Sequence, residues 1–355
     1  MRIADRDYTR DEVLRRVGGI PQLGGTRHYV LAEGRSKGIS AIDFDTGCGL
    51  RFAVLPDRGL DISKATFKGV NLVFFTQNGE VHPAFYESGG NGWLRTFFAG
   101  LLTTCGLTHI GASGRDGEEE LGLHGRHSAT PASQVVDLSR WEEDEYILEV
   151  KGVLEDSVLF GNKIRLTRSI STRMGSKVLL IRDVAENFGY ETSPFAMLYH
   201  INPGFPLLDS TSELVLSAKE TTPYGASDMS SLRRFESPAQ GYREQDFHHV
   251  MASDGDGFAY CAMINRGLCG GLGLSIRFNT GSLPYLSEWK MMAPGEYAVG
   301  LEPCNAPCQN RSVLREKGLL QFLEPGESRE MVVEIGVLEG RQEIDAFVAR
   351  VDALS

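Results

Sequence analysis

Long hydrophobic runs and clusters of basic residues are both absent from this sequence of 355 residues. Its longest apolar stretches, such as residues 97–102 and 178–181, are far shorter than the ~20 residues that span a bilayer, so a membrane helix is excluded. The 47 acidic residues outnumber the 36 basic ones, and the net charge is −11. A surface of that sign repels phosphate backbones, which argues against nucleic-acid binding.

The sequence also has little cysteine and no apolar segment near its start. The first ten residues are charged throughout, unlike a secretory signal. Six cysteines in a chain of this length without such a signal indicate reduced thiols rather than a disulfide framework. We therefore expect a cytoplasmic protein.

What the sequence has in abundance is glycine and short alternating segments. Glycine accounts for 41 residues and follows no strict period, which favours many turns. Residues 49–55 and 165–171 alternate apolar and polar side chains, as strands with one buried face do. Many such segments, separated by breaks rich in Gly, Pro, Asn and Asp, predict an all-β fold built as a large antiparallel β-sandwich. Helices are expected only at the two ends, over residues 9–16 and 341–354.

The organisation along the chain predicts one continuous domain over residues 1–355. No linker rich in Pro or Ser divides it, and no repeat with a period of roughly 20 to 50 residues is evident. Within this domain we expect an N-terminal extension over residues 1–37 and a C-terminal helix over residues 340–355.

Two of the eight histidines lie where an imidazole could meet a ligand. His124 lies between two glycines in Leu-Gly-Leu-His-Gly-Arg (121–126), and glycine allows other groups to approach the backbone closely. His200 lies at the polar end of an apolar strand over residues 195–201, where a packed core can hold the ring rigidly. The alternative is a histidine that only satisfies loop carbonyls.

One carboxylate stands out in the same way. Glu302 follows the apolar residues 297–301 and precedes Pro303, which biases its backbone toward an extended conformation. Partial burial at such a position would raise the pKa of the carboxyl toward the range of a general base. The alternative is an acidic residue in a surface loop.

Three motifs, in this order, resemble those of the aldose 1-epimerase, or mutarotase, family. They are Leu-Gly-Leu-His-Gly (121–125), Tyr-His-Ile-Asn-Pro-Gly-Phe (199–205), and Pro-Tyr-Leu-Ser-Glu-Trp-Lys (284–290) with Gly-Leu-Glu-Pro (300–303). With Leu-Pro-Asp-Arg-Gly-Leu-Asp-Ile (55–62), the likeness covers roughly residues 38–338. The sequence resembles the aldose-1-epimerase-like branch of the family more than galactose mutarotase itself.

The resemblance implies a fold, a reaction and roles for three residues. The fold is the galactose mutarotase-like supersandwich with a sugar cleft on one sheet. The reaction is the interconversion of the anomers of a monosaccharide through ring opening and closure. Glu302 corresponds to the base that removes the C1 hydroxyl proton, and His200 to the acid that protonates the ring oxygen. His124 corresponds to the histidine that holds the sugar, and no metal or organic cofactor is required.

Four further residues are candidates for substrate contacts. Arg95 precedes a segment rich in Gly and Thr that could line the cleft, and Arg126 follows the His124 motif. For both arginines a structural salt bridge is the alternative. Trp289 could stack on a pyranose ring or belong to the core. Asp246 is a weak match to the acid with which family members bind sugar hydroxyls.

Two other functions are compatible with parts of the sequence. A carbohydrate-binding protein without catalysis could share the fold, although binding alone would tolerate Gln at position 302 and Asn at position 200. A metal-dependent sugar isomerase could use His124 and His127, but the ligand spacing of such sites is absent. The expected partner is a small sugar, and a homodimer is left open.

Overall fold

The computed structural model describes residues 1–4 and 6–354, and antiparallel β-strands dominate it. In chain order, the strands of the first part are β1 (Arg2–Ile3), β2 (Arg6–Asp7), β3 (Gly25–Val30), β4 (Ser40–Asp45), β5 (Leu50–Leu55), β6 (Asp61–Phe67), β7 (Val70–Asn71), β8 (Thr103–Leu107), β9 (Gly114–Asp116), β10 (Glu119–Leu121), β11 (Ser133–Asp137) and β12 (Arg140–Glu142). The strands that follow are β13 (Glu145–Ser157), β14 (Lys163–Arg173), β15 (Val178–Asn187), β16 (Ser193–His200), β17 (Glu213–Leu216), β18 (Ala218–Tyr224), β19 (Gln245–Met251), β20 (Phe258–Asn265), β21 (Leu272–Asn279), β22 (Tyr285–Ala293), β23 (Glu296–Cys304), β24 (Gln321–Leu323) and β25 (Ser328–Glu339).

Two large sheets and a smaller one account for most of these strands. The nine-stranded sheet has the order β11-β13-β14-β15-β25-β21-β20-β17, with β12 beside β13. The seven-stranded sheet has the order β18-β19-β22-β23-β16-β24, with β8 beside β16, and β3 to β7 form a five-stranded sheet. One hydrophobic cluster joins residues of all three sheets, including Ile181, Leu301 and Phe52. The all-β antiparallel sandwich predicted from the sequence is thus confirmed.

Helices are short and lie at the periphery. The α-helices are α1 (Arg10–Leu14), α2 (Arg311–Glu316) and α3 (Gly340–Asp352). The 3₁₀ turns are Ile20–Gln22, Gly34–Ser36, Pro83–Phe85, Gly92–Arg95, His127–Ala129 and Met229–Ser231. No helix in residues 1–4 and 6–354 combines the length and the apolar character that a membrane span requires.

The expectation that helices occur only at the ends is wrong, because α2 lies between β23 and β24. Asn310 caps α2 by accepting a hydrogen bond from the Ser312 N–H. A helix of six residues is too short to show the 3.6-residue periodicity that identifies longer helices. The terminal helix α1 does carry the expected Thr9 cap, which forms a capping box with Glu12.

Strand alternation follows the sequence pattern closely along β14. Every second side chain of this strand, from Ile164 to Thr172, is buried between the sheets. One of these is charged: Arg168 is fully buried and donates hydrogen bonds to Asp183 at 2.7 Å and to Asp61 at 3.2 Å. A buried cation is tolerated only with such partners, so this cluster is part of the core architecture.

All six cysteines are free thiols, as the composition predicts.

Candidate active site

Two neighbouring strands of the seven-stranded sheet, buried except for Glu296 at the start of β23, carry the first two candidate residues. In the antiparallel pairing of β16 with β23, Leu198 lies opposite Cys304. This register places His200 directly opposite Glu302, because two residues further along one strand correspond to two residues back along the other. The imidazole and the carboxylate are therefore cross-strand neighbours on one face of the sheet.

The neighbouring strands extend this face. Ser287 of β22 pairs with Glu302 on one side and with His248 of β19 on the other. Two residues further along β22, Trp289 pairs with Asp246 of β19. Side chains two residues apart on a strand share a face, so Trp289 and Asp246 point to the same side of the sheet as Ser287 and His248. They form the floor of a cavity of about 330 Å3.

This cavity brings together five of the seven residues that the sequence singled out. Those residues are His124, His200, Asp246, Trp289 and Glu302. Its walls also contain side chains that the sequence analysis did not select, namely Trp93, Phe97, Tyr224, Glu244, His248 and Cys308.

Burial dominates the electrostatics of the His200–Glu302 pair. Only 4% and 2% of the two residues are exposed. Nε2 of His200 lies 3.1 Å from Oε1 of Glu302, but the contact is not aligned as a hydrogen bond, and within the described residues Oε1 has no hydrogen-bond partner. Burial, followed by the nearby Asp246 carboxylate, raises the pKa of Glu302 well above its usual value. Burial also lowers the pKa of His200 to about 4, so the pair by itself favours uncharged forms.

His124 approaches the pair from a loop rather than from the sheet. Its φ of 57° lies in the left-handed region, which is uncommon for a residue other than glycine. The backbone N–H of Gly111 donates to Nδ1 of His124 at 3.3 Å. Burial, and then the positive charge that His200 can carry, lowers the pKa of His124 well below its usual value. The ring is therefore neutral, and with Nδ1 accepting it carries its proton on Nε2, which makes this nitrogen a hydrogen-bond donor.

Aromatic rings hold the two histidines in place. The Trp93 ring lies 4.7 Å from the His124 ring between centroids, and the Phe97 ring lies 5.1 Å from that of His200. The Trp289 ring meets His200 edge-on at 5.8 Å. The imidazoles are thus confined by packing, while ring faces of the kind that bind sugars border the cavity.

The part of the cavity around Asp246 is acidic. Burial, followed by repulsion from Glu244 and Glu288, raises the pKa of Asp246 to about 7. Glu244 accepts a hydrogen bond from Nε1 of Trp289 at 3.2 Å. Among the described residues, no group donates a hydrogen bond to the Asp246 carboxylate, whose own backbone N–H is bound by Ser227. The carboxylate is therefore available to a ligand.

The adjacent histidines of β19 separate onto opposite faces, as strand geometry requires. His248 borders the cavity and stacks on Tyr224 at 5.0 Å, and burial lowers its pKa to about 4. His249 is fully buried on the other face, 3.3 Å from Glu288. The alternation of Asp246 with His248 is the one pattern in the sequence that could have identified His248 as a cavity residue.

The two arginines selected as substrate contacts do not line this cavity. Arg95 is exposed on a 3₁₀ turn whose Trp93 points inward, and its Nε lies 2.9 Å from Glu87. Arg126 lies in a second cavity, of about 460 Å3, together with Tyr86 and Asp156. The two residues directly before it, His124 and the following glycine, both have positive φ.

Within residues 1–4 and 6–354, no three His, Cys, Asp or Glu side chains are arranged to hold a metal ion.

Comparison with known families adds to this geometry. The profile of one family matches residues 36–337, most of the chain. This protein belongs to the family described as a domain of unknown function, DUF4432. No curated protein sequence matches this DUF4432 chain.

Solved structures with the same fold carry more specific descriptions. A candidate aldose 1-epimerase from Klebsiella pneumoniae has a TM-score of 0.86 and 22% identity, over 94% of the DUF4432 chain and 90% of its own. A galactose mutarotase-like protein from Clostridium acetobutylicum has a TM-score of 0.62 and 15% identity, over 90% and 100%. A galactose 1-epimerase from Lactobacillus acidophilus has a TM-score of 0.55 and 14% identity, over 90% and 100%. These likenesses establish the galactose mutarotase-like fold that the motifs predicted.

Proposed function

We propose that this DUF4432 protein is an aldose 1-epimerase-like isomerase that interconverts the anomers of a monosaccharide. One observation carries the proposal: His200 and Glu302 face each other, 3.1 Å apart, on the floor of a cavity bordered by aromatic rings. A carboxylate and an imidazole are groups that can donate and accept protons near neutral pH. The C1 hydroxyl and the ring oxygen of a sugar are bonded to one carbon, so neighbouring acid and base groups can reach both.

In the proposed reaction, Glu302 removes the proton of the C1 hydroxyl while His200 protonates the ring oxygen. The bond between C1 and the ring oxygen breaks, and C1 becomes an aldehyde carbon. Rotation about the C1–C2 bond exposes the other face of the aldehyde. The ring oxygen then attacks that face, and the two proton transfers run in reverse, which returns both side chains to their starting states.

The buried pair needs a single proton for this cycle. Burial favours placing that proton on the Glu302 carboxyl, with His200 neutral. A sugar hydroxyl that donates to Glu302 stabilises the carboxylate and so favours transfer of the proton to His200. The contact of 3.1 Å between Oε1 and Nε2 provides a short path for the transfer.

His124 and Trp289 have supporting roles in the proposal. The Nε2–H of neutral His124 donates a hydrogen bond to the ring oxygen and holds it toward His200. Trp289 offers a ring face on which the pyranose can stack. Preorganised donors of this kind stabilise charge that develops as the ring opens.

The test is the rate of anomer exchange, followed by polarimetry or NMR with hexoses, pentoses and deoxy sugars. Glu302→Gln and His200→Asn should each lower the rate by about 100- to 10,000-fold, the usual contribution of a general acid or base. Glu296→Gln, an exposed position on the same strand, is the matched control and should retain the wild-type rate. Circular dichroism verifies that each variant is folded.

Wild-type rates in both site variants would overturn the proposed mechanism. Sugar binding without acceleration by the wild-type protein would indicate a carbohydrate-binding protein instead.

A further inference from the structure

The candidate cavity has a marked imbalance of charge. Four acidic residues border it: Glu244, Asp246, Glu288 and Glu302. Within the described residues, no Lys or Arg is part of its lining. Glu288 is the exception among the four, because strand alternation places its side chain on the other face of the sheet, beside His249.

Four basic residues near the cavity are bound to other groups. Their partners lie outside the lining: Arg95 pairs with Glu87, Arg311 with Asp116, Lys317 donates to Gln309, and Lys290 donates to the carbonyls of Ser231 and Arg234. None of these cations is therefore free to turn toward a ligand in the cavity without losing a bond.

The histidines of the cavity do not neutralise the negative charge of its acidic residues either. Burial lowers the pKa of His200 and of His248 to about 4 and that of His124 well below its usual value, so all three rings are neutral at neutral pH. Since Glu302 holds a proton, Asp246 and Glu244 are the sources of negative potential in the cavity. Burial, and then repulsion from neighbouring carboxylates, raises the pKa of Asp246 to about 7 and that of Glu302 well above its usual value, so the charge of Asp246 develops above about pH 7.

Two buried or half-buried polar groups show that this negative site is open to a ligand. Oε1 of Glu302 is buried and has no hydrogen-bond partner among the described residues. Asp246, across the floor on β19, accepts no hydrogen bond from the described part of the chain and lies near Glu244. A cation between Asp246 and Glu244 would relieve their mutual repulsion, whereas an anion would increase it.

We propose that the cavity selects sugars by charge, with Asp246 as the residue that determines this specificity. The inference rests on the proposed function and names its substrate class. An aldose that carries a protonated amino group binds best, an uncharged aldose binds less well, and phosphorylated or acidic sugars are excluded. The ammonium group lies against Asp246, and the anomeric centre lies at Glu302 and His200.

The experiment compares KM values for anomer exchange within matched sets at about pH 7.5, which is above the pKa of about 7 of Asp246 and still below that of such an amine. Each set contains the hexose, its 2-amino-2-deoxy derivative, the N-acetylated form and the 6-phosphate, in both the gluco and the galacto series. The amino sugar should have a KM about tenfold below that of the hexose, the usual scale of one favourable charge contact. The N-acetylated sugar, which lacks the charge, should lose this advantage, and the 6-phosphate should have the highest KM.

Asp246→Asn preserves the shape of the side chain and removes its charge. It should reduce the KM advantage of the amino sugar over the hexose to about threefold or less, with a smaller change in kcat. Asp256→Asn, in an exposed turn, is the matched control and should leave the ratio of the two KM values unchanged. Quenching of tryptophan fluorescence by each sugar gives an independent measure of binding, because Trp93 and Trp289 border the cavity.

The outcomes separate this inference from the proposed function. Acceleration of exchange with equal KM values, or with a lower KM for the phosphate, would overturn charge selection and leave the epimerase activity intact. If no sugar is accelerated, the proposed function fails, and the order of the fluorescence affinities still tests charge selection. An affinity for the hexose above that for the amino sugar would then refute it.

Discussion

A Cβ atom on Gly300 would lie 2.3 Å from Oε1 of Glu302. The two residues are separated by one position on β23, so they share a face of the strand, and the Glu302 side chain lies over Gly300. The same Cβ would lie 2.9 Å from Cε1 of His200. Glycine at position 300 is thus what allows the carboxyl and the imidazole to meet.

Gly300→Ala should therefore lower kcat for anomer exchange by about tenfold or more, because displacement of reacting groups by a fraction of an ångström disrupts proton transfer. The rate with saturating sugar is the measurement. Gly281→Ala is the control, since no atom lies within 4 Å of a Cβ at that glycine. Equal rates for the two variants would show that the close approach has no part in catalysis.

His124→Asn should lower kcat/KM by about tenfold or more without unfolding the protein. Asparagine can still accept the hydrogen bond from the Gly111 N–H but lacks the Nε2–H that the proposal assigns to the ring oxygen, and one lost hydrogen bond to developing charge has roughly this effect. Exchange rates at several sugar concentrations provide the measurement. His28→Asn, at an exposed position, should leave kcat/KM unchanged. An unchanged kcat/KM in His124→Asn would remove this residue from the mechanism.

Arg168→Met should destabilise the protein by about 3–5 kcal/mol, because it leaves the buried carboxylates of Asp61 and Asp183 without their cation. Urea unfolding followed by circular dichroism gives the free energy of unfolding. Arg165→Met, three residues earlier on β14, removes only partly exposed ion pairs and should cost less than about 1 kcal/mol. Similar losses in both variants would show that the buried cluster is not a main support of the core.

Acid should destabilise the fold partly through His127. This histidine is buried, its ring lies 3.2 Å from the Gly59 carbonyl, and burial lowers its pKa to about 3. The unfolded chain binds a proton near pH 6.5, so stability is complete above that pH and falls as the pH decreases toward 3. At about pH 5 the loss from this residue is on the order of 2 kcal/mol.

His127→Gln should consequently flatten the dependence of the free energy of unfolding on pH between about 6.5 and 5. Urea titrations at a series of pH values measure this slope. His28→Gln serves as the exposed comparison and should retain the wild-type slope. A slope in His127→Gln as steep as in the wild type would contradict the prediction.

The sequence identified the class of fold from local patterns. Alternation along β14 showed which side chains are buried, and the Thr9 cap marked the first helix. It missed α2, because a single turn and a half of helix has no detectable period. The single domain, the cytoplasmic location and the homodimer stay predictions.

For the candidate site, patterns in the sequence identified individual residues but not the residues that surround them in the fold. His200 and Glu302 were chosen for their places at the ends of apolar segments, and the fold brings both to one cavity. The two arginines were chosen for proximity to motifs along the chain, and neither lines this cavity. Nearness in sequence says little about side-chain direction in a loop, where φ can change sign from one residue to the next, as it does around His124.

By itself, then, the sequence determined that this is an antiparallel β protein and which face of an alternating strand such as β14 is buried, because both properties follow from a period of two residues. Only the tertiary structure decided that β16 pairs with β23 in the register that sets His200 opposite Glu302. It also decided that Asp246 and Trp289 join them from two further strands. Strand partners and register depend on contacts between residues far apart in the chain, and a local alternation is compatible with many of them.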